Sequence, residues 1–137
     1  MRRTLRTTDY DALGDFRYAM RKFLRFSKDV LSAEARLTAE QYEALLALKA
    51  SRRAEGMTVG EISERLQVRH HTAVSLIDKL EDRKLARRKR TNADRRTVNV
   101  QLTSAGSSLL SRLAVVHYAE IRRRAPEIMA ALRRLQK

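Results

Sequence analysis

The sequence predicts a mainly α-helical protein that carries one small β-hairpin. Its 137 residues include only one proline and four glycines, which favours long helices joined by short connections. Apolar residues recur at spacings of three and four along most of the chain, as on one face of a helix. Residues 97–102 differ, because they alternate strictly between polar and apolar side chains. That alternation is typical of a half-buried strand.

The first predicted helix covers residues 9–31. Nothing precedes it that its apolar stripe could pack on, so we expect the stripe to be buried on later segments or on a second copy of the chain. The stripe consists of Leu13, Phe16, Met20, Phe23, Leu24, Ser27 and Leu31.

Two capping boxes predict the starts of the next two helices. Thr38 is followed three residues later by Gln41, and Thr58 by Glu61. The helix after Thr58 is short, and residues 67–69 form a tight turn into a further helix over residues 70–83. The apolar face predicted for that helix is Ala73, Val74, Ile77 and Leu80.

A hairpin and two helices complete the predicted chain. Residues 85–90 pair with 97–102, and residues 91–94 form the reversing turn. A helix over residues 103–124 follows, with Leu109, Leu113, Val116 and Ile121 among its buried candidates, and Pro126 occupies the first position of a last helix. A short helix, a tight turn, a second helix and a hairpin form the layout of a winged helix-turn-helix.

The charge indicates a polyanionic partner. Thirty basic residues against 16 acidic ones give a net charge of +14. Residues 83–96 hold eight basic side chains against Asp94 alone, so the charge is densest at the hairpin. This coincidence favours DNA binding over a merely solvated basic surface. A non-specific architectural DNA-binding protein and a protein-interaction module are the alternatives.

Several classes of function are excluded or disfavoured. The absence of cysteine excludes disulfides, thiolate nucleophiles and zinc fingers. We see no Gly-rich phosphate loop and no cluster of metal ligands, so we expect neither an enzyme nor a cofactor or metal. No secretory signal and no apolar run of roughly 20 residues is present, which predicts a cytoplasmic, nucleoid-associated protein without a membrane partner.

Candidate DNA-binding residues lie at the start of the helix over residues 70–83 and in the hairpin. Residues at such a helix start reach base edges in the major groove. The histidines there are suited to donate to guanine or to phosphate, and the alternative is that they are ordinary exposed side chains. Adjacent helical residues point roughly 100° apart, so the two cannot share one metal ion. The helix candidates are Arg69, His70, His71, Thr72, Ser75 and Lys79.

The wing candidates are Arg88, Arg90, Asp94, Arg95 and Arg96. Asp94 is suited to hold Arg96 in one orientation through a bidentate pair, which lowers the entropy cost of aiming it into a narrow groove. The alternative is a salt bridge that only stiffens the turn.

Residues 94–106 resemble the wing and exit of the multiple antibiotic resistance regulator (MarR) family. Asp94-Arg95-Arg96 matches an Asp-x-Arg motif, alternating apolar residues follow, and Leu102-Thr103-Ser104-Ala105-Gly106 matches Leu-Thr-x-x-Gly. Upstream, residues 37–46 look like the second helix of the family and residues 61–85 like its helix-turn-helix. The resemblance covers roughly residues 37–106. Lys84 departs from it, because a glycine usually ends the recognition helix there, and positive φ at a lysine implies strain of about 1 kcal/mol.

The resemblance implies a homodimeric transcription regulator formed by a single domain over residues 1–137. Residues 1–36 and 107–137 would form the dimerisation region, and residues 37–106 a DNA-binding lobe. Two lobes would bind a pseudo-palindromic double-stranded operator, as a repressor that a small aromatic or phenolic ligand releases. Candidate pocket residues are Phe16, Met20, Phe23, Tyr42 and His117, for which core or dimer contacts are the alternative.

Overall fold

The structure is a computed structural model that describes residues 2–90 and 97–137, and it confirms a winged helix-turn-helix within a mainly helical chain. Over those residues it contains five helices and three short strands in one antiparallel sheet, with strand order β1-β3-β2. The elements are α1 (Thr7–Ala35), α2 (Ala39–Ala50), β1 (Met57–Thr58), α3 (Val59–Leu66), α4 (His70–Asp82), β2 (Ala86–Arg90), β3 (Val98–Leu102) and α5 (Ser104–Gln136).

Contacts within the chain divide it into two units. The first unit comprises residues 1–30 and 114–137, and in it α1 and α5 run antiparallel. Ion pairs join the two helices at Lys22–Glu127 and Asp15–Arg134, both at 2.6 Å. Its most buried apolar side chains are small, namely Ala12, Ala19 and Ala131.

The second unit, residues 31–113, holds the three central helices and the sheet. Its largest fully buried side chains are Leu31, Leu45, Ile62, Ile77, Leu80, Leu113 and Val100. Both predicted capping boxes are confirmed, since Thr38 and Thr58 each accept from the backbone N–H three residues on and donate their own N–H to that residue's side chain. The caps fix where α2 and α3 begin.

Two non-glycine residues in the left-handed region end α3 and α4. Gln67 has φ 55° and Lys84 has φ 59°. In each case the next residue donates its N–H to a carbonyl five residues back, at 3.0 Å from Val68 to Ser63 and 2.9 Å from Leu85 to Leu80. This is the Schellman end of a helix. The positive φ predicted for Lys84 is thus present.

The exit from the sheet depends on Thr103 and Gly106. The Thr103 hydroxyl donates to the Lys84 carbonyl at 2.7 Å and accepts from the Gly106 N–H at 2.9 Å. A Cβ on Gly106 would lie 2.0 Å from the Leu85 carbonyl oxygen, so only glycine permits this approach. These contacts give the Leu-Thr-x-x-Gly motif a structural reason.

The predicted hairpin is confirmed, but the sheet and the packing of α4 differ from the prediction in detail. The hairpin is part of a three-stranded sheet, because Met57 and Thr58 pair with Val100 and Asn99. A two-residue strand is too short to show alternation in the sequence. On α4, Leu76 is buried at 7% exposure, whereas Val74 is only half-buried.

The C-terminal helix also differs from the prediction. Pro126 lies inside α5 instead of starting a separate helix. The helical period of buried positions continues across it, from Leu113, His117 and Glu120 to Ala131. Val116 and Ile121, expected to be buried, are 36% and 47% exposed. Burial of side chains on both sides of Pro126 therefore keeps α5 continuous, although the proline removes one backbone hydrogen bond.

Candidate nucleic-acid interface

Helix α4 exposes one polar face over its whole length. Ala73, Leu76, Ile77 and Leu80 are buried against the rest of the second unit. The opposite side chains project outward because successive residues turn about 100° around the axis. All six helix candidates are exposed: Arg69, His70, His71, Thr72, Ser75 and Lys79.

The N-terminus of α4 lacks the side-chain carboxylate or hydroxyl that caps many helices. Arg69 is the N-cap residue, its side chain makes no capping hydrogen bond, and the first turn contains no acidic residue. The first N–H groups of a helix have no partner within it, and the helix dipole makes this end positive. This end of α4 therefore offers donors and positive potential to an anion.

Arg88 joins the hairpin to α4. Its guanidinium forms ion pairs with Asp78 at 2.8 Å and with Glu81, and its backbone N–H donates to Glu81 at 3.0 Å. Partial burial opposes the charged form, but the hydrogen bonds to Asp78 and Glu81 outweigh it and raise the pKa of Arg88 above its usual value. The arrangement holds strand β2 against α4.

The remaining wing candidates lie at the end of β2 and beyond it. Arg90 is exposed at the end of β2, and Asp94, Arg95 and Arg96 lie outside the described residues. Arg83, which contributes to the basic run, donates to the carbonyls of Ala35 and Arg36 at 2.8 and 3.0 Å. That charge therefore caps the C-terminus of α1, where the last turn holds no basic residue.

The ligand-pocket candidates fall in both units. In the first unit, the Nε2 atom of His117 lies 2.8 Å from the Ser27 hydroxyl, and the rings of Phe23 and Phe26 meet the imidazole edge-on at 6.3 and 6.1 Å. Phe16 and Met20 are half-buried on α1. Tyr42 belongs to the second unit, where burial raises the pKa of its hydroxyl. His117 is thus a core side chain of the first unit.

Comparisons with known proteins agree with this geometry. The family model described as the MarR family matches residues 37–97. The HTH-type transcriptional regulator PecS of Dickeya dadantii is 29% identical over 89 residues, which cover 65% of this chain. The match spans only 54% of PecS, about half of its length.

Two solved proteins share the fold. A Staphylococcus aureus MepR–DNA complex aligns with a TM-score of 0.67 at 25% identity, covering 79% of this chain and 75% of MepR. MepR bound to ethidium bromide aligns with a TM-score of 0.60 at 27% identity over the same shares. AbsC of Streptomyces coelicolor aligns with a TM-score of 0.76 over 90% of this chain and 82% of AbsC, and at 24% identity it supports the fold alone.

The chain is therefore similar to the MarR family over residues 37–97, the region that contains α2, β1, α3, α4 and β2.

This similarity includes the helix-turn-helix, and the relatives PecS and AbsC are described as transcriptional regulators. Over residues 2–90 and 97–137, no helix has the length and apolar character needed to cross a bilayer.

Arg83 and Arg87 have structural roles that the sequence alone did not predict. Arg83 binds α1 carbonyls 47 and 48 residues away, and nothing in the local pattern indicates that contact. Arg87 lies opposite Gln101 in the hairpin and donates to its side-chain oxygen at 3.3 Å. Pairing the predicted strands end to end places Arg87 opposite Val100, so this contact depends on a register that differs by one residue.

Proposed function

We propose that this chain is a sequence-specific, double-stranded-DNA-binding transcription regulator that acts as a homodimer. The observation that carries the proposal is the outward face of α4, a recognition helix whose six polar candidates are all exposed beside an uncapped, positive N-terminus. MepR, a structural relative at 25% identity, has been solved with DNA. In this function α4 enters the major groove of a pseudo-palindromic operator.

The candidate residues take different roles in such a complex. Arg69 and Lys79 neutralise phosphates and position the protein, while His70, His71, Thr72 and Ser75 face base edges. Arg90, Arg95 and Arg96 belong to the wing, with Asp94 orienting Arg96. Arg88 contributes indirectly by positioning the wing, because its ion pairs with Asp78 and Glu81 hold β2 against α4.

The dimer is supported by apolar side chains left exposed in the first unit. Along α5 they recur at spacings of three and eight, which at roughly 100° per residue places them on one face: Tyr118 (65% exposed), Ile121 (47%), Met129 (48%) and Leu132 (42%). A contiguous apolar face of this kind is typical of an interface. Residues 1–36 and 107–137 are therefore proposed as the dimerisation region and 37–106 as the DNA-binding lobe.

Repression released by a small aromatic or phenolic ligand completes the proposal. MepR, solved with ethidium bromide, is a relative that binds an aromatic molecule. In the first unit Phe16, Met20, Phe23 and His117 remain candidate pocket residues, and in the second unit Tyr42 remains one. We propose a cytoplasmic, nucleoid-associated location because the partner is DNA.

A non-specific architectural DNA-binding protein is the second candidate, favoured by the net charge of +14. Titration of a labelled duplex from the region upstream of its own gene, against a scrambled duplex over a salt series, separates the two. The regulator predicts a specificity ratio of about 10³ or more. Equal affinity for both duplexes, and for a genome-wide pool of fragments, contradicts it.

The variant His71→Ala localises the interaction. We expect it to reduce the specificity ratio by about tenfold, since one base contact contributes roughly 1–3 kcal/mol of discrimination. Lys28→Ala removes an exposed residue of α1 and should leave the ratio unchanged.

A further inference from the structure

A basic groove lies in the second unit, away from the outward face of α4. It has a volume of about 390 Å³ and lies between the end of α2, the segment over residues 52–56 and the start of the hairpin. Its basic side chains are Lys49, Arg52, Arg53 and Arg87, and Leu48 and Leu102 contribute apolar surface.

Three of the four cations are not neutralised. Arg53 is paired with Glu61 at 2.6 Å. Among the described residues, Lys49, Arg52 and Arg87 form no ion pair with any carboxylate. The groove therefore combines three exposed positive charges in one concavity.

Arg87 is held in place by a chain of hydrogen bonds. Its Nε donates to the Gln101 Oε1 at 3.3 Å, and the Gln101 Nε2 donates to the carbonyls of Ala54 and Glu55, each at 3.2 Å. Among the described residues, these bonds use only the Nε of Arg87, so both terminal nitrogens are left to donate to a ligand. An oriented guanidinium loses less entropy on binding.

The wall opposite Arg87 is rigid. Gly56 has φ 90°, and a Cβ there would lie 2.0 Å from the Val100 carbonyl oxygen, so the backbone of residue 56 is pressed against β3. Arg52 adopts φ 59°, which fixes the direction in which the chain leaves α2. The groove is thus preformed by backbone contacts.

We propose that this groove binds a small organic phosphate monoester. A carboxylate carries one charge and is matched by one arginine, whereas a phosphate carries about two charges and three acceptor oxygens, which suit two arginines and a lysine. The volume exceeds that of a phosphate group and is within the roughly 300–1,000 Å³ of small-molecule sites. Leu48 and Leu102 supply the surface against which the organic part packs.

The test uses phenyl phosphate as the probe, with titration followed by ¹H–¹⁵N NMR. We expect saturable shifts of the Gly56 amide and the Gln101 side-chain amide at 150 mM salt, the ionic strength of about 0.15 M that screens distant charges. Arg87→Gln and Lys49→Gln should each weaken binding at least tenfold. Lys49 is exposed on α2, so its variant keeps the test valid where a hairpin variant unfolds.

The matched control is Arg21→Gln, which removes one positive charge from the exposed face of α1. It should change phenyl phosphate affinity less than twofold. Equal losses in Arg21→Gln and Arg87→Gln, or shifts that do not saturate, would overturn the proposal because they indicate attraction to net charge alone.

A DNA titration tests whether the groove binds a small phosphate monoester or the phosphates of the DNA backbone. If the ligand is a small molecule, Arg87→Gln and Lys49→Gln should keep their affinity for a mixed-sequence duplex within twofold. A tenfold loss of duplex affinity would assign the groove to the DNA backbone and overturn the small-molecule site. The proposal does not depend on operator recognition by α4, so failure of one leaves the other intact.

Discussion

Gln67 and Lys84 both adopt the left-handed backbone conformation, but the resulting strain is offset to a different extent at each residue. Gln67 offsets part of its strain, since its side-chain Nε2 donates to the Glu64 carbonyl at 2.8 Å and contacts the Glu64 carboxylate at 3.2 Å. For Lys84, no side-chain hydrogen bond or ion pair is present among the described residues. The strain at Lys84 is therefore less compensated than that at Gln67.

Replacement of Lys84 by glycine should stabilise the protein by about 0.5–1 kcal/mol, because glycine adopts positive φ without a steric penalty. Gln67→Gly should give a smaller gain or a loss, since it also removes two side-chain hydrogen bonds. Urea unfolding followed by circular dichroism at fixed protein concentration measures both free energies of unfolding. A larger gain from Gln67→Gly would contradict this assignment of strain.

Replacement of Gly106 by alanine is expected to destabilise the protein, the opposite of the effect of glycine at residue 84. The Cβ of Gly106→Ala would meet the Leu85 carbonyl oxygen at 2.0 Å, so we expect destabilisation of at least about 2 kcal/mol by forced backbone movement. Gly14 lies inside α1 with nothing within 4 Å of an added Cβ. Gly14→Ala should therefore stabilise by up to about 1 kcal/mol through helix propensity. Measuring the free energy of unfolding of both variants in the same urea experiment distinguishes a glycine required by close backbone contact from one that only lowers helix propensity.

At the scale of elements, the start of α3 depends on pH. Hydrogen bonds from the Arg53 guanidinium and from the Thr58 backbone lower the pKa of the Glu61 carboxyl. The stabilisation from this group is complete above the usual pKa of 4.5 and is lost as the pH falls through the lowered value.

The variant Glu61→Gln tests that dependence. Glutamine keeps the capping geometry, as Gln41 does for α2, but it cannot titrate or pair with Arg53. The wild-type protein should exceed the variant in stability at pH 7, and the difference should shrink on acidification to pH 3. Unfolding in urea at the two pH values measures it, and a difference that is constant with pH would contradict the role of the ion pair.

Elements defined by local signals were predictable, and those defined by distant contacts were not. The boxes at Thr38 and Thr58 lie within four residues, and both helix starts were confirmed. The strand at Met57 exists only because Val100 pairs with it 43 residues later. Pro126 is a local signal for a helix start, but the burial of residues on both sides of it overrides that preference.

Features of the candidate site were likewise predictable where a local signal exists and not where they depend on distant contacts. Exposure of Arg69, His71 and Lys79 follows from helical periodicity, which the sequence contains. The ion pairs of Arg88 depend on how β2 packs against α4, which periodicity does not specify. The sequence predicts a DNA contact for Arg88, and it does not reveal that the same charge also joins two elements.

At the scale of the whole molecule, dimerisation and DNA affinity are expected to fall together. Two lobes on one duplex gain affinity because binding of the second is intramolecular, so a monomer should bind far more weakly. Met129 lies within the exposed apolar face of α5, at 48% exposure. Met129→Asp places a charge on that face, and burial of an unpaired charge opposes association. We expect a monomer by analytical ultracentrifugation and at least a hundredfold loss of operator affinity.

Ala130→Asp is the matched control for this prediction. Residue 130 is also exposed on α5, but it points about 100° away from residue 129 around the helix axis. The same charge at that position should leave the dimer and its operator affinity within twofold of wild type. A Met129→Asp protein that remains dimeric would exclude the face formed by Tyr118, Ile121, Met129 and Leu132 from the interface. A monomer that keeps full operator affinity would instead show that one lobe suffices for binding, and the pseudo-palindromic operator would then be wrong.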